Sequence, residues 1–399
     1  MSSARQVLQL ATKYRDETAA NLGRLVRIPS LSGQEREVNA ELARQLDAAG
    51  FDEVAIDPLG NVIGRIGSGP RVLAIDAHMD TVDVGDPANW EFDPFSGEVR
   101  GDHVLGRGSV DQEGGAAAFV TAGRIVKELG LGDRLTLLCT GTVMEEDCDG
   151  LCWKYLIEEG GLRPDFVICT EPTNLNLYRG HRGRMEMAAS FRGRSAHGSA
   201  PERGVNAVYA AARACREIEQ LHARLASDPF LGKGSVTVTE FRSSGPSLCA
   251  VPDSARLHLD RRLTAGETRE SALAEVRALL DSDRGAVEVL HYDGVAYTGL
   301  RYGMEKYYPT WTIPADHPAV REGVTVATEL FGEAPRVGRW TFSTNAIAIN
   351  GLHGIPVIGF GPGDETLAHA PNEKVPVDHL VRAAAFYAHF ALRLARAGS

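Results

Sequence analysis

A histidine and an aspartate two positions apart close an apolar run, Val72-Leu73-Ala74-Ile75-Asp76-Ala77-His78-Met79-Asp80. In an extended chain that spacing puts both side chains on one face. An imidazole that binds a metal usually passes its second ring N–H to a carboxylate, and Asp80 is placed to be that orienting group. A solvated polar strand end is the plainer alternative. A glycine-rich turn follows, Gly106-Arg107-Gly108-Ser109-Val110-Asp111-Gln112-Glu113-Gly114-Gly115, with Asp111 just ahead of an Ala-rich helical stretch. Seen alone, an Asp there caps a helix, a common use of Asp; a carboxylate that bridges two metals also needs a tight, glycine-permitted turn, so the reading turns on what else converges here. The glycines make neither a phosphate loop nor a dinucleotide fingerprint, because no Gly-Lys-Ser/Thr follows them.

Three further segments bring similar groups. Glu145-Glu146-Asp147 ends an apolar run, Glu171 ends another in Cys169-Thr170-Glu171-Pro172, and His369 follows a third across a glycine-rich loop. Ligands of open α/β sheets bind beyond the carboxyl ends of the strands, which is where all of these residues fall. Imidazole and carboxylate donors together suit zinc, with manganese or cobalt as substitutes, and two such ions sharing a carboxylate form a site that activates water. Cys148 and Cys152 share a helical face, but no second Cys or His pair with structural-zinc spacing lies near them, so they read as packing residues.

To position these groups the chain needs a sheet. Apolar, β-rich runs at 71–77, 134–144, 165–170 and 355–359, with helical stretches at 113–129 and 150–159 between the early ones, predict a mostly parallel α/β sheet covered by helices on both faces. Helical spacing over 3–26 and 33–49 opens the chain, with Gly50 as the stop of the second helix. Between 183 and 294 the rhythm becomes strand (183–192), helix (205–226), strand (234–242), strand (253–263), helix (267–280), strand (286–291). That is the βαββαβ order of a ferredoxin-like unit. Helical patterns at 318–330 and 378–397 then resume the first rhythm, so the expected division is a discontinuous catalytic domain, 1–182 with 295–399, and an inserted domain, 183–294.

Composition narrows the classes. Across 399 residues, 42 Lys and Arg stand against 53 Asp and Glu, a net charge of −11 that disfavours a nucleic-acid binder. No run approaches the ~20 apolar residues of a membrane span, and the charged start does not form a signal h-region. The expectation is a soluble cytoplasmic protein with no membrane partner, its six cysteines reduced.

The segments Ala77-His78-Met79-Asp80-Thr81-Val82, Gly108-Ser109-Val110-Asp111-Gln112-Glu113-Gly114-Gly115, Glu145-Glu146, Thr170-Glu171-Pro172 and His369 resemble the zinc aminoacylase and metallopeptidase family that includes acetylornithine deacetylase, succinyl-diaminopimelate desuccinylase and glutamate carboxypeptidase. The resemblance implies two Zn²⁺ per subunit, or Co²⁺ or Mn²⁺. His78, Asp111 and Glu171 would hold one ion, and Asp111, Glu146 and His369 the other. Asp80 would orient His78, Glu145 would be the general base, and the bond after Asp111 would be cis. In the inserted domain, Gly193-Arg194-Ser195-Ala196-His197-Gly198 resembles the motif whose His reaches a partner's site to stabilise the oxyanion, which implies a homodimer through this lid. Arg262 matches the position that clamps a substrate carboxylate; its plainer role is a salt bridge to Asp260. Arg179, Arg182, Arg184, Arg192 and Arg194 crowd the start of the lid and favour an anionic substrate, although solvated strand faces carry such clusters too. In one departure, Cys249-Ala250-Val251-Pro252 stands where relatives usually carry Asn before the Val/Ile-Pro step. With Met144 to Trp153 it is most similar to the selenium-metabolism-linked hydrolase branch.

The expected protein is therefore a dinuclear hydrolase that cleaves the amide bond of a small anionic N-acyl or N-carbamoyl amino acid or a dipeptide. An aminopeptidase on the same scaffold is the nearest rival, and a metal-dependent binding protein without turnover the rival from another class. An unligated Glu145 argues against the binder.

Overall fold

The computed structural model describes residues 3–280 and 283–397, so the outermost two residues at each end, and the pair 281–282 within the expected lid, lie outside the described residues. The strands of the larger sheet are β1 (Glu53–Ile56), β2 (Val62–Ile66), β3 (Arg71–His78), β4 (Leu135–Thr142), β5 (Phe166–Cys169) and β6 (Leu177–Tyr178). Residues 183–294 contribute β7 (Gly183–Arg192), β8 (Ser235–Ser244), β9 (Ser254–Leu263) and β10 (Gly285–Val289), and the chain returns with β11 (Val337–Gly338) and β12 (Val357–Gly359).

The larger sheet has the order β1-β2-β4-β3-β5-β12-β6-β11. Its centre, β4-β3-β5-β12, is parallel throughout. Alternation along the strands divides the apolar side chains between two cores. Leu73, Ile75, Leu137 and Cys139 pack on one face with the helices Ser3–Lys13, Glu113–Glu128 and Val377–Ala397. Ala74, Leu138, Val167 and Cys169 pack on the other with the helix Leu151–Glu158. The central strands are buried on both faces, and the chemistry-bearing side chains emerge at their carboxyl edge.

The stretch expected as one helix over 3–26 is two, Ser3–Lys13 and Arg15–Val26. Tyr14 breaks it, and its hydroxyl bonds to Glu128. The break lets the first helix pack on the C-terminal helix and the second on Glu113–Glu128. Gly50 ends the next helix, Arg36–Ala49, in the left-handed conformation expected of a stop residue. A π-helical turn at Ile347–Leu352 had no counterpart in the sequence reading.

The second sheet, β8-β9-β7-β10, is antiparallel, with the helices Ala207–Arg224 and Arg269–Arg277 between its strands in the βαββαβ order. It has its own core, in which Ala211, Ala214 and Ile218 of the long helix meet Met185, Met187, Phe191 and Leu257. Asn206 caps that helix, and Thr268 caps the shorter one through a capping box.

Candidate metal centre

His78 is the last residue of β3, Glu145 and Glu146 follow β4, Glu171 follows β5, and His369 follows β12 across a loop. Asp111 lies on the turn before the helix Glu113–Glu128, and the Asp111–Gln112 bond is cis. That helix packs closely against the sheet because its first turn is Gly114-Gly115; a Cβ at Gly115 would stand 2.0 Å from Thr170 Oγ1.

These segments bring the expected donors together. His78 Nε2 lies 3.0 Å from Asp111 Oδ1, 3.6 Å from Glu171 Oε1 and 3.9 Å from Glu145 Oε2. His369 Nε2 lies 3.3 Å from Asp111 Oδ2 and 3.0 Å from Glu146 Oε2. Asp111 thus turns one oxygen to each histidine, the disposition of a bridging carboxylate. Among the described residues, two groups bring donor atoms within 4.8 Å of one another: His78, Glu145 and Glu171, and His78, Asp111 and Glu146. Glu145 therefore sits among the donors.

Asp80 supports this centre in a way its spacing did not predict. His78 Nδ1 meets the Asp80 backbone carbonyl at 2.8 Å, while the carboxylate is 3.7 Å away. That carboxylate instead accepts the amides of Glu145 and Glu146 at 3.1 and 3.0 Å and the Ser32 hydroxyl at 2.6 Å. The sequence reading missed a second support, Glu373. Its Oε1 accepts the amides of Val110 and Asp111 at 2.7 and 3.0 Å, and its Oε2 pairs with Arg107 at 2.6 Å. A buried Arg in the glycine turn and an acid four residues past His369 were the signals.

The electrostatics call for cations. Burial first, and the neighbouring carboxylates second, push Glu145 and Glu171 well above the usual carboxylate range; Glu146 is also raised. Asp111 goes the other way: burial opposes it, but hydrogen bonds with His369 and His78 hold it low. The same bonds to Asp111 and Glu146 lift His369 to about 10. Glu145 Oε1 and Glu171 Oε2 are buried with no partner among the described residues. Four carboxylates and two imidazoles with unpartnered oxygens are a donor set that fits divalent ions of the zinc, cobalt or manganese type.

A cleft of about 310 Å³ opens over the donors, lined also by Arg184, Arg262, Ser343 and Glu365. Arg262 is held by Asp260, through Nε at 2.8 Å and Nη2 at 3.0 Å, so its salt-bridge and cleft positions coexist. Of the five clustered arginines only Arg184 lines the cleft, paired with Asp149 and Glu186. Arg179 reaches the Ile313 carbonyl, Arg182 the Lys233 carbonyl and Arg194 the Arg203 carbonyl. His197 does not line the cleft of its own chain; it lies exposed in the segment after β7, its Nδ1 2.7 Å from Ser199 Oγ. The exposed Cys249 is beside it, its carbonyl accepting the Gly198 amide at 2.7 Å. All six cysteines are free thiols, with Cys148 and Cys152 buried in the core. Among the described residues no helix is long and apolar enough to cross a membrane.

A mainly parallel α/β sheet with this cleft at its carboxyl edge places the chain in the class of metal-dependent hydrolases. It belongs to peptidase family M20/M25/M40, whose model matches residues 74–393. The chain is 52% identical over 384 residues to the uncharacterized protein YgeY of Escherichia coli strain K12, an alignment covering 96% of this chain and 95% of that protein. With succinyl-diaminopimelate desuccinylase of Methylocella silvestris it shares 28% over 400 residues, covering 93% and 96%. The crystal structure of aminopeptidase PepT from Bacillus cereus shares the fold, with a TM-score of 0.74 at 22% identity over 96% of this chain and 99% of that one.

Proposed function

We propose that the protein hydrolyses the amide bond of a small N-acyl or N-carbamoyl amino acid or a dipeptide, with two divalent ions and Glu145 as general base. What supports this most is the convergence of His78 with Asp111, Glu145, Glu146, Glu171 and His369, the last five lining one cleft. His78, Asp111 and Glu171 would hold one ion, Asp111, Glu146 and His369 the other, with zinc the best match and cobalt or manganese substitutes. When bound, such ions polarise an acyl carbonyl and acidify water. Glu145 takes the proton of the attacking water and passes it to the leaving nitrogen, serving first as base and then as acid. Asp80 holds His78 and the amides of both glutamates, which keeps base and ligand in register.

Arg262 binds the substrate carboxylate; with Nε and Nη2 engaged by Asp260, Nη1 is the nitrogen it offers. His197 of the partner subunit donates to the oxyanion, which makes the working form a homodimer. Residues 183–294 act as the lid on a catalytic domain of 1–182 and 295–399. One observation favours a substrate with a free amine, as in a dipeptide or an aminopeptidase substrate: Glu365 lines the cleft with Oε2 buried and without a partner among the described residues.

The test is turnover by metal-loaded protein on a panel of N-acyl amino acids and dipeptides, with Glu145→Ala as control. The variant should keep its metal and lose nearly all activity. Tight binding of one compound with no turnover of any would favour a metal-dependent binding protein.

A further inference from the structure

Four consecutive amides beyond β4 are each held by a side-chain oxygen. Val143 N–H donates to Asn61 Oδ1 at 3.1 Å, Met144 N–H to Glu35 Oε1 at 3.0 Å, Glu145 N–H to Asp80 Oδ1 at 3.1 Å and Glu146 N–H to Asp80 Oδ2 at 3.0 Å. Buried amides need partners, but at a strand end these usually come from backbone or water. Here three other segments supply them.

The reason lies in the direction of two side chains. Glu145 and Glu146 are neighbours in sequence, and in an extended strand neighbours point to opposite faces. Both line the one cleft. Met144 makes this happen by adopting a left-handed conformation, φ 60°, just ahead of them. A side chain with a Cβ disfavours that conformation, so something outside the strand must hold it. Glu35 does so through the Met144 amide. It is fully buried, does not line the cleft, and anchors the same Oε1 on the Gly33 amide at 2.8 Å. The same loop sends Ser32 Oγ to Asp80 at 2.6 Å, so residues 32–35 brace both acids behind the strand end.

We propose that Glu35 is a positioning residue: by holding the left-handed turn at Met144 it sets Glu145 toward the water it deprotonates. The inference rests on the hydrolase reading with Glu145 as base. Burial and the charge of Asp80 push the Glu35 carboxyl up to about 8, so a carboxamide is a close isostere for it.

Two variants test it in the metal-loaded enzyme. Glu35→Asp keeps the acid but withdraws the oxygen from Met144, and its kcat should fall about 10²-fold, with KM and metal content held, as expected for a small displacement of a reacting group. Glu35→Gln keeps the acceptor and should stay within about threefold of the parent. Wild-type kcat in Glu35→Asp, an equal loss in both variants, or a loss that resides in KM would overturn the assignment. Loss of cooperative melting or of metal in Glu35→Asp would make Glu35 a structural residue and overturn it as well. If the parent hydrolyses nothing on the panel the hydrolase reading fails first, whereas an active parent with an equally active Glu35→Asp rejects only the role of Glu35.

Discussion

Arg184 and Arg262 stand directly opposite each other on the neighbouring strands β7 and β9, and both line the cleft. Two residues further along, Glu186 and Asp260 also face each other, and each acid holds the arginine of its own strand. Both guanidiniums reach the cleft while each stays paired with an acid, although the whole chain is acidic. Arg262→Ala should raise KM for a substrate with a free carboxylate by roughly ten- to a hundredfold, the worth of about 1.5–3 kcal/mol for a charged hydrogen bond. Arg262→Lys should recover only part of this, since an ammonium cannot hold Asp260 through two N–H groups and still present a fixed third donor to the substrate. Steady-state kinetics on an acid and its amide decide: unchanged discrimination between them would leave Arg262 as a strand salt bridge.

Chelation should make stability depend on pH in one direction. With the metal removed, Glu145, Glu146 and Glu171 keep raised values through burial and mutual repulsion. The unfolded chain releases these protons above about pH 4.5 while the folded chain retains them, so stability falls as pH rises. His369, raised to about 10 by Asp111 and Glu146, acts with the same sign, its contribution being whole below about 6.5 and lost on the way to 10. The depressed Asp111 has the opposite sign, but only below about pH 4. Melting temperatures in excess chelator should therefore drop between about pH 7 and 9. With zinc or manganese they should be higher throughout, and binding should strengthen with pH because the ligands must lose their protons. A chelated protein that gains stability over that interval would contradict the donor cluster.

His197 gives a test of the assembly. Mixing His197→Ala with Glu145→Ala subunits should restore activity that neither variant has alone, because some mixed dimers hold one site with an intact base and an intact donated histidine. Size-exclusion chromatography should show exchange of subunits under the same conditions. Exchange without recovery would place His197 outside the reaction.

Much of the site could be read from the chain because parallel strands buried on both faces show as apolar runs, and whatever polar residue ends such a run lies at the ligand edge. His78, Glu145, Glu146 and Glu171 were found in that way. The supports were not, because each acts across the fold: Glu35 reaches Met144 over 109 residues and Glu373 reaches Val110 over 263. No local spacing encodes such pairs. Nor could periodicity show that Asp80 would hold His78 through its backbone carbonyl and spend its carboxylate on two amides. The break at Tyr14 was hidden for a similar reason, since the apolar spacing continues through it and only packing on two different helices separates the halves.

His181 ties the root of the lid to the wall of the cleft, and its protonation should loosen that tie. Its Nδ1–H donates to the Arg182 carbonyl at 2.8 Å, and its Nε2 accepts the Thr344 amide at 3.2 Å, which fixes the neutral tautomer. Thr344 follows Ser343 of the cleft wall, and Trp311 and Trp340 pack against the ring edge-on. Complete burial, reinforced by the charge of Arg262 against the partial help of the Arg182 carbonyl, lowers His181 to about 3. Below about pH 6.5 the unfolded chain takes up a proton the folded chain refuses, so stability falls with pH by about 1.4 kcal/mol per unit until the folded value is reached. His181→Gln cannot titrate. At pH 7 it should be less stable than the parent by about 1–2 kcal/mol for the hydrogen bonds it makes poorly. In denaturant titrations that gap should close toward pH 5, because only the parent pays the proton penalty; parallel curves for the two proteins would mean that His181 is not held neutral at this joint.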